Sequence, residues 1–390
     1  MNPPKYILPI IVLSQFFCTS LWFAGNGVMT DLKVAFLLGE SALGYITSMI
    51  QFGFIIGTLI FAILSVADRY APSKVFFVCA LLGALFNIAL IWKGNTYASI
   101  LIFRFCTGFF LAGIYPVGMK IAADYYEKGL GKSLGFLVGA LVIGTAFPHL
   151  LKELKGNFPW EFVLITTSSL AVFGGILMLS FVPNGPFRKP SQKINLTAIP
   201  NIFKKKDFRT AAFGYFGHMW ELYAFWAFVP LMLQMYSELH PEIVFNIPLV
   251  SFIVIGIGGF ACALGGYLAQ KVGVKRVAFI SLLASCVCCL VSPIMFMLNS
   301  TMLFFCFLLF WGMVVIADSP LFSTLVAKNA PVALKGTALT IVNCIGFFIT
   351  IISILLMNTL RATTNSTTIL MILAIGPVLG LLALYKNKKL

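Results

Sequence analysis

The chain has 390 residues, of which 60% are hydrophobic and only 10% are charged, and its mean hydropathy is +0.99. Soluble domains carry about 25% charged residues, so the composition excludes a soluble enzyme. The apolar runs are long and unbroken, which excludes a barrel of short alternating strands. We therefore predict an all-α polytopic membrane protein.

Apolar runs near the length that crosses a bilayer, about 20 residues, predict twelve spans. They lie at 6–28, 42–66, 75–92, 97–119, 133–151, 161–182, 210–235, 246–269, 277–298, 301–327, 336–358 and 368–385. The first run is too long for the apolar region of a signal peptide, so we interpret it as a span. The longest polar stretch divides the chain into an N-terminal six-helix bundle (1–182), a basic cytoplasmic linker (183–209) and a C-terminal six-helix bundle (210–390).

The net charge of +15 comes from 27 Lys and Arg against 12 Asp and Glu. The basic residues gather in every second loop, which is the pattern that orients a membrane protein. We therefore expect both termini in the cytoplasm and no nucleic-acid partner. The loops are too short for extracellular domains, which favours a bacterial inner membrane.

All nine cysteines fall inside predicted spans. We interpret them as small apolar residues, and we expect no disulfide scaffold, structural zinc site or other cofactor.

The two halves of the sequence resemble each other. LSVADRYAPSKV (64–75) follows the second span, and GYLAQKVGVKRV (266–277) follows the eighth in the same frame. The fourth and tenth spans end in GIYPVGMKIAADYY (113–126) and ADSPLFSTLVAKNA (317–330), which place Pro116 opposite Pro320. These matches predict two copies of one six-helix unit.

At these residues the chain resembles the major facilitator superfamily, whose loop between helices two and three carries Gly-x-Leu-Ala-Asp-Arg-x-Gly-Arg-Arg. Leu64 and Ala71 stand where this motif has glycine, and Gln270 replaces the acid in the second copy. RFCTG, from Arg104 to Gly108, is similar to the fourth-helix motif of the family. Tyr125, Lys128, Gly129 and Lys132 fit its next loop.

The resemblance implies two pseudo-symmetric six-helix bundles that alternate between access states. We interpret the loop motifs as a conformational latch that pairs across the halves, with a tight turn in a basic loop as the alternative. The latch residues are Asp68, Arg69, Lys74, Gly273, Lys275 and Arg276.

Three ionisable residues lie deep within predicted spans: Arg104, Glu221 and Asp318. Each costs about 2.5–3.5 kcal/mol at a helix centre, so we expect each to face a polar interior. The resemblance implies that their helices line the central cavity.

Glu221 is the main candidate for the proton-coupling residue, and His218 lies one helical turn before it. Asp318 is a similar candidate because it precedes the helix break at Ser319 and Pro320. Ordinary hydrogen-bonded interior residues are the alternative for all three.

Three further candidates come from neighbouring features. Arg104 is suited to binding a substrate carboxylate or to pairing with Glu221 or Asp318. Asn26 in AGNG interrupts the first helix and offers an amide to the cavity, and Tyr223 belongs to an aromatic group that lines a site or a packed core.

The sequence thus predicts a monomeric, proton-coupled transporter of a small organic solute. Because His218 and Glu221 could ligate a cation, a metal or siderophore carrier is an alternative. A non-transporting receptor or scaffold on the same fold is another. The loops hold no phosphate loop, nucleophile triad or HExxH motif, so we expect no enzyme.

Overall fold

The computed structural model describes residues 4–126, 130–188, 195–364 and 366–386. Within these ranges the secondary structure is helical, without a strand, which confirms the all-α prediction for this part of the chain. Contacts divide the chain into two compact units, Met1–Lys193 and Ile194–Leu390.

The first unit contains ten α-helices in the described residues. They are α1 Ile7–Thr19, α2 Ala24–Gly27, α3 Met29–Ala35, α4 Ala42–Ile63, α5 Val66–Arg69, α6 Pro72–Ile88, α7 Tyr97–Leu111, α8 Tyr115–Tyr125, α9 Leu130–Leu154 and α10 Glu161–Phe181. A 3₁₀ turn, Ala89–Ile91, extends α6.

The second unit contains nine α-helices in the described residues. They are α11 Ile199–Lys204, α12 Lys206–Leu239, α13 Ile247–Gly256, α14 Gly258–Val272, α15 Val274–Met297, α16 Thr301–Ala317, α17 Ser319–Asn329, α18 Lys335–Thr363 and α19 Ile375–Tyr385. The 3₁₀ segments are Leu196–Ala198, Val332–Leu334 and Thr367–Ala374.

Ten helical segments in the described residues are long and apolar enough to cross a membrane. They are Ala42–Ile63, Pro72–Ile91, Tyr97–Tyr125, Ser133–Leu154, Glu161–Phe181, Ile247–Val272, Val274–Met297, Thr301–Asn329, Val332–Thr363 and Thr367–Tyr385. The first and seventh predicted spans are not among them. The first breaks after Thr19, and the seventh, α12, has 34 residues with polar side chains in its interior.

Both units contain close helix crossings built around glycine, and one crossing recurs in the two units. A Cβ atom added to Gly108 on α7 would lie 2.0 Å from the Ile50 carbonyl oxygen on α4. A Cβ atom added to Gly312 on α16 would lie 2.0 Å from the Val254 carbonyl oxygen on α13. The frame that places Pro116 opposite Pro320 also places Gly108 opposite Gly312. The internal repeat therefore preserves backbone-to-backbone packing, which small residues permit.

The two copies of the loop motif turn differently. Gly273 joins α14 to α15 with φ +98°, a conformation that side chains disfavour. Ala71, in the matching position, has φ −61° and ψ 125°, as expected of a residue before Pro72. The first loop has its left-handed residue earlier, at Ser65 (φ +51°). Ala71 can therefore replace glycine because this turn does not require positive φ there.

Gly273→Ala should lower the free energy of unfolding by about 1–3 kcal/mol, since a strained φ/ψ pair costs that much. Thermal unfolding of the purified protein in detergent measures the change. Gly266→Ala is the matched control, because Gly266 lies within α14 with no atom near an added Cβ, and alanine favours a helix. Equal midpoints for the two variants would contradict the role assigned to Gly273.

Candidate functional site

Arg104 holds together the break in the first predicted span. Between α1 and α2 the chain leaves the helix at residues 20–23. Arg104 Nη2 donates to the Trp22 carbonyl (2.5 Å), and both terminal nitrogens donate to the Leu21 carbonyl (3.3 Å). The interruption that we predicted at Asn26 therefore begins upstream, at Ser20. Arg104 supplies donors to carbonyls that a continuous helix would have satisfied.

A second layer orients the guanidinium group of Arg104. Its Nη1 donates to Asn87 Oδ1 (3.2 Å), and Asn87 Nδ2 donates to Ser168 Oγ (3.0 Å) and Thr167 Oγ1 (3.2 Å) on α10. Arg104 is fully buried. Its terminal nitrogens are thus engaged by two carbonyls and an amide of the first unit rather than by a carboxylate.

Asn26 lies on α2 and faces α4. Its Nδ2 donates to Thr47 Oγ1 (2.8 Å), whereas its Oδ1 is buried without a hydrogen-bond partner. Nearby, Trp22 packs against Phe54 with ring centroids 4.8 Å apart. The break in the first span therefore presents the Asn26 amide and the Trp22 ring towards α4.

His218 and Asp318 form a buried imidazole–carboxyl contact in the second unit. His218 Nδ1 lies 2.8 Å from Asp318 Oδ1, and each side chain is 1% exposed. Asp318 is the residue between α16 and α17, so the break in the tenth predicted span positions its carboxylate. His218 Nε2 and Asp318 Oδ2 have no hydrogen-bond partner.

Glu221, one turn further along α12, is surrounded by donors from two other helices. Its Oε1 accepts from Trp311 Nε1 (2.6 Å) on α16, and from the Ser285 hydroxyl and the Cys289 thiol (3.3 Å) on α15. Cys289 therefore acts as a hydrogen-bond donor as well as a small buried residue, and the thiols of Cys18 and Cys262 likewise donate to carbonyls. A small polar stripe in the ninth predicted span, Ser281, Ser285 and Cys289 at four-residue spacing, is a sequence signal for these partners.

The structure brings the two candidate residues of α12 to different partners. His218 contacts Asp318, whereas Glu221 contacts Ser285, Cys289 and Trp311. No group of three or more His, Cys, Asp or Glu residues suited to a metal ion occurs among the described residues.

Tyr223 belongs to an aromatic cluster on the same helix. Its ring centroid lies 5.2 Å from those of Trp226 and Phe347, and Tyr223 is 3% exposed. Next to it, Phe225 packs on the indole of Trp311, with 4.7 Å between centroids. Phe225 thus packs on the indole that donates to Glu221, and Tyr223 belongs to a separate aromatic contact with Trp226 and Phe347.

The first loop copy is tied to the end of α8. Lys120 Nζ lies 3.2 Å from Asp68 Oδ1 and 3.7 Å from Asp124 Oδ1. Arg188 Nη2 donates to the carbonyls of Asp68 and Tyr70 (both 2.9 Å). Asp68 is therefore held by charges and the loop backbone by Arg188, whereas the side chains of Arg69 and Lys74 are exposed.

The second loop copy lines an open basic groove of about 670 Å³. Gly273, Lys275 and Arg276 contribute to it, with Lys328 from the end of α17. In the loop after α8, Lys128 and Gly129 lie outside the described residues, as does the side chain of Lys132. The Tyr125 hydroxyl donates to the Pro183 carbonyl (2.6 Å).

These features define an α-helical integral membrane protein with a repeated helix crossing and ionisable groups buried among its helices. The sequence model of the Major Facilitator Superfamily matches residues 11–354. The chain belongs to this superfamily, which confirms the resemblance and the expectation of a membrane transport protein rather than an enzyme. No curated protein sequence gives a significant match.

Solved structures with the same fold include several transporters. A mutant of the nucleoside transporter NupG has 17% identity and a TM-score of 0.74, and the match covers 99% of this chain and 100% of NupG. The xylose transporter XylE from E. coli, in a partially occluded inward-open conformation, has 14% identity and a TM-score of 0.74, with 98% and 99% covered. An inward-facing, occupied bacterial homologue of the human lysosomal transporter Spinster has 13% identity and a TM-score of 0.70, with 98% and 96% covered. At these identities the likeness concerns the fold.

Arg104→Lys should lower the free energy of unfolding by about 1–3 kcal/mol, because the single nitrogen of lysine lacks the planar fork that reaches the Leu21 and Trp22 carbonyls and Asn87 together, and leaves a buried acceptor unsatisfied. Thermal unfolding in detergent measures this loss. Arg209→Lys, at an exposed position of α12, is the control and should change stability by less than about 0.5 kcal/mol. A wild-type midpoint for Arg104→Lys would show that the fork geometry is unnecessary.

Proposed function

We propose that this protein is a proton-coupled secondary active transporter of a small organic solute that works by alternating access. The observation that carries the proposal is the pair of buried acid sites against α12: Asp318 in contact with His218, and the hydrogen-bonded Glu221 of α12 itself. Ionisable groups at membrane depth are expensive and are associated with ion and proton pathways. Membership of a transporter superfamily supports the same conclusion.

The proposed topology has twelve crossings. We assign the first to α1–α3, and the seventh to α12, whose 34 residues span about 51 Å at 1.5 Å per residue. The basic loops support cytoplasmic termini. The proposed halves are 1–182 and 210–390, joined by the linker at 183–209, in a monomer in a bacterial inner membrane.

The contacts of Glu221 suggest how a proton alters the second unit. Hydrogen bonds to a carboxylate are about twice as strong as those between neutral groups. Protonation of Glu221 would therefore weaken its bonds to Ser285, Cys289 and Trp311, which join α12 to α15 and α16. Deprotonation would restore them, so proton binding changes the free energy of this helix packing.

The His218–Asp318 pair provides a second proton site one turn away. When the imidazole of His218 carries a proton, it is positively charged and pairs with the carboxylate of Asp318. When it loses that proton, the positive charge of the pair is gone. Because Asp318 joins α16 to α17, its contact with His218 links protonation to the break in the tenth predicted span.

The proposed latch is the group around Asp68, Lys120 and Asp124, with Gly273, Lys275 and Arg276 of the second copy as its counterpart. A charge network at a short loop can hold one access state until a ligand or proton shifts the balance. Arg69 and Lys74 have exposed side chains. On this proposal they form ion pairs with the other half of the chain in one access state.

Nucleosides and pentoses are the first substrates to test, because NupG and XylE are named as nucleoside and xylose transporters. We would reconstitute the protein in liposomes and measure uptake of labelled uridine and D-xylose with and without an imposed pH gradient. The same uptake assay would be repeated with metal ions and siderophores. Binding without gradient-driven accumulation would favour the receptor interpretation.

Glu221→Gln should reduce gradient-driven accumulation by about tenfold or more while it preserves counterflow exchange. Glutamine keeps an acceptor for Trp311 but cannot carry the proton. Glu238→Gln is the matched control, because Glu238 is an exposed carboxylate on the same helix. Full gradient-driven accumulation by Glu221→Gln would refute the coupling role of Glu221.

Asp68→Asn should slow transport several-fold and leave solute-induced thermal stabilisation unchanged, since the carboxylate is assigned to the latch and not to binding. Initial uptake rates in the same liposomes measure the effect. Glu40→Gln removes an exposed carboxylate that pairs with Lys33 (2.7 Å) elsewhere in the first unit, and it should have no effect. Unchanged rates in Asp68→Asn would remove Asp68 from the latch.

A further inference from the structure

The first unit contains buried neutral polar groups that have no hydrogen-bond partner. Among them are Asn26 Oδ1 on α2, and Ser48 Oγ and both amide atoms of Gln51 on α4; others include atoms of Ser14 and Gln15 on α1, Thr58 on α4 and Thr145 on α9. Asn26, Ser48 and Gln51 are 7%, 5% and 0% exposed. Buried polar atoms are nearly always hydrogen-bonded in native proteins, so a cluster of unpaired ones indicates a place where a ligand or water supplies the partners.

These groups are connected through Thr47. Its hydroxyl accepts from Asn26 Nδ2 (2.8 Å) and donates to the Leu43 carbonyl (2.7 Å), so its only donor hydrogen is already used. Gln51 lies four residues after Thr47 and three after Ser48, which places it next to both along the face of α4. Asn26, Ser48 and Gln51 therefore lie in one region around the α2–α4 contact, which we call the amide cluster.

We propose that the amide cluster binds an uncharged, polyhydroxylated solute, such as a sugar or the ribose of a nucleoside. The inference rests on the proposed transport function and specifies its substrate class. The cluster offers the Asn26 carbonyl, the Gln51 carbonyl, the Gln51 amide hydrogens and the Ser48 hydroxyl. A sugar hydroxyl both donates and accepts, so it complements this mixture of donors and acceptors.

The nearby guanidinium group of Arg104 does not offer its planar fork to an anionic ligand. A Cβ atom added to Gly25 would lie 3.4 Å from Arg104 Nε, so Arg104 is close to Asn26 in the fold. However, both of its terminal nitrogens donate to Leu21, Trp22 and Asn87, and only Nε lacks a partner. The planar fork that would bind a carboxylate is therefore occupied.

An aromatic wall adjoins the cluster. Phe54, three residues after Gln51 on α4, packs against Trp22 at the break of the first span. Aromatic faces beside a few placed polar groups are typical of small-molecule sites. The apolar face of a sugar ring or a nucleobase is suited to such a surface.

The first test is thermal unfolding of the purified full-length protein with D-xylose and uridine. The charged comparison compounds are D-glucuronate, D-glucosamine and uridine monophosphate. A ligand that binds only the folded state raises the midpoint as its concentration exceeds Kd. We expect at least one uncharged compound to stabilise the wild type and its charged relatives to do so less. Stabilisation by charged compounds alone, or by none of the five, would overturn the proposal.

The decisive variant is Gln51→Met, which replaces an unpaired buried amide by an apolar group of similar volume. Without ligand its midpoint should equal or exceed that of the wild type, since an unmade hydrogen bond is removed. The concentration of uncharged solute for half-maximal stabilisation should rise about tenfold or more, the equivalent of one or two lost hydrogen bonds.

Gln15→Met is the matched control. Gln15 on α1 is also fully buried, with both amide atoms unpaired, but it lies outside the amide cluster. It should show the same ligand-free behaviour with an unchanged solute response. A lower ligand-free midpoint in Gln51→Met, with the solute response intact, would show that Gln51 serves the fold or a structural water.

The two proposals fail separately. If gradient-driven uptake is absent but uncharged solutes stabilise the wild type through Gln51, the proposal of proton coupling is refuted and the proposal of solute binding at the amide cluster is retained. If uptake depends on Glu221 but uncharged solutes stabilise Gln51→Met as they stabilise the wild type, the proposal of solute binding at the amide cluster is refuted and the proposal of proton coupling is retained.

Discussion

The hydrocarbon core of a bilayer offers no water, so every polar group at that depth needs a partner within the protein or within a wet cavity. The break after Thr19 shows the consequence. Carbonyls freed at Leu21 and Trp22 accept from Arg104, and Asn87 on α6 orients the guanidinium against α10. One buried cation thus permits an interrupted helix to exist at this position, and the interruption in turn exposes Asn26 to α4. The shape of the first unit around its polar groups depends on this interaction.

The repeat preserves packing but not chemistry. Gly108 and Gly312 occupy matching positions and admit a partner carbonyl at the same calculated separation, 2.0 Å from an added Cβ. In the same frame, Leu308 stands opposite Arg104. The second unit therefore has no equivalent of the arginine that stabilises a broken helix, and α12 continues for 34 residues. Its ionisable groups are an acid and an acid–imidazole pair instead. Close packing constrains both copies, whereas side chains away from the crossing have diverged.

Sequence patterns predicted the helical class, the repeat and the burial of Arg104, Glu221 and Asp318, because a single charge within an apolar run has only one inexpensive environment. The hydrogen-bond partners of these residues could not be predicted from the sequence, because they lie on helices that are distant along the chain. His218 and Glu221 share one face of α12, yet their partners lie on different elements, at Asp318 and at Ser285, Cys289 and Trp311. Helical periodicity describes the face of one helix and not what packs against it. The turn at Ala71 was also hidden, because the family motif predicts glycine there while the following proline allows an ordinary φ.

The two kinds of polar group in this chain differ in what a ligand can change. Glu221 Oε1 already accepts three hydrogen bonds, so a proton arriving there weakens existing contacts between α12 and its neighbours. The amide cluster makes few contacts of its own, so a solute arriving there adds hydrogen bonds where none exist. A ligand shifts a conformational equilibrium only through its different affinity for the two states. On our proposals, the proton acts by loosening a satisfied network in the second unit, and the solute acts by completing an unsatisfied one in the first. Coupling between them requires only that the access states differ in how well each network is formed.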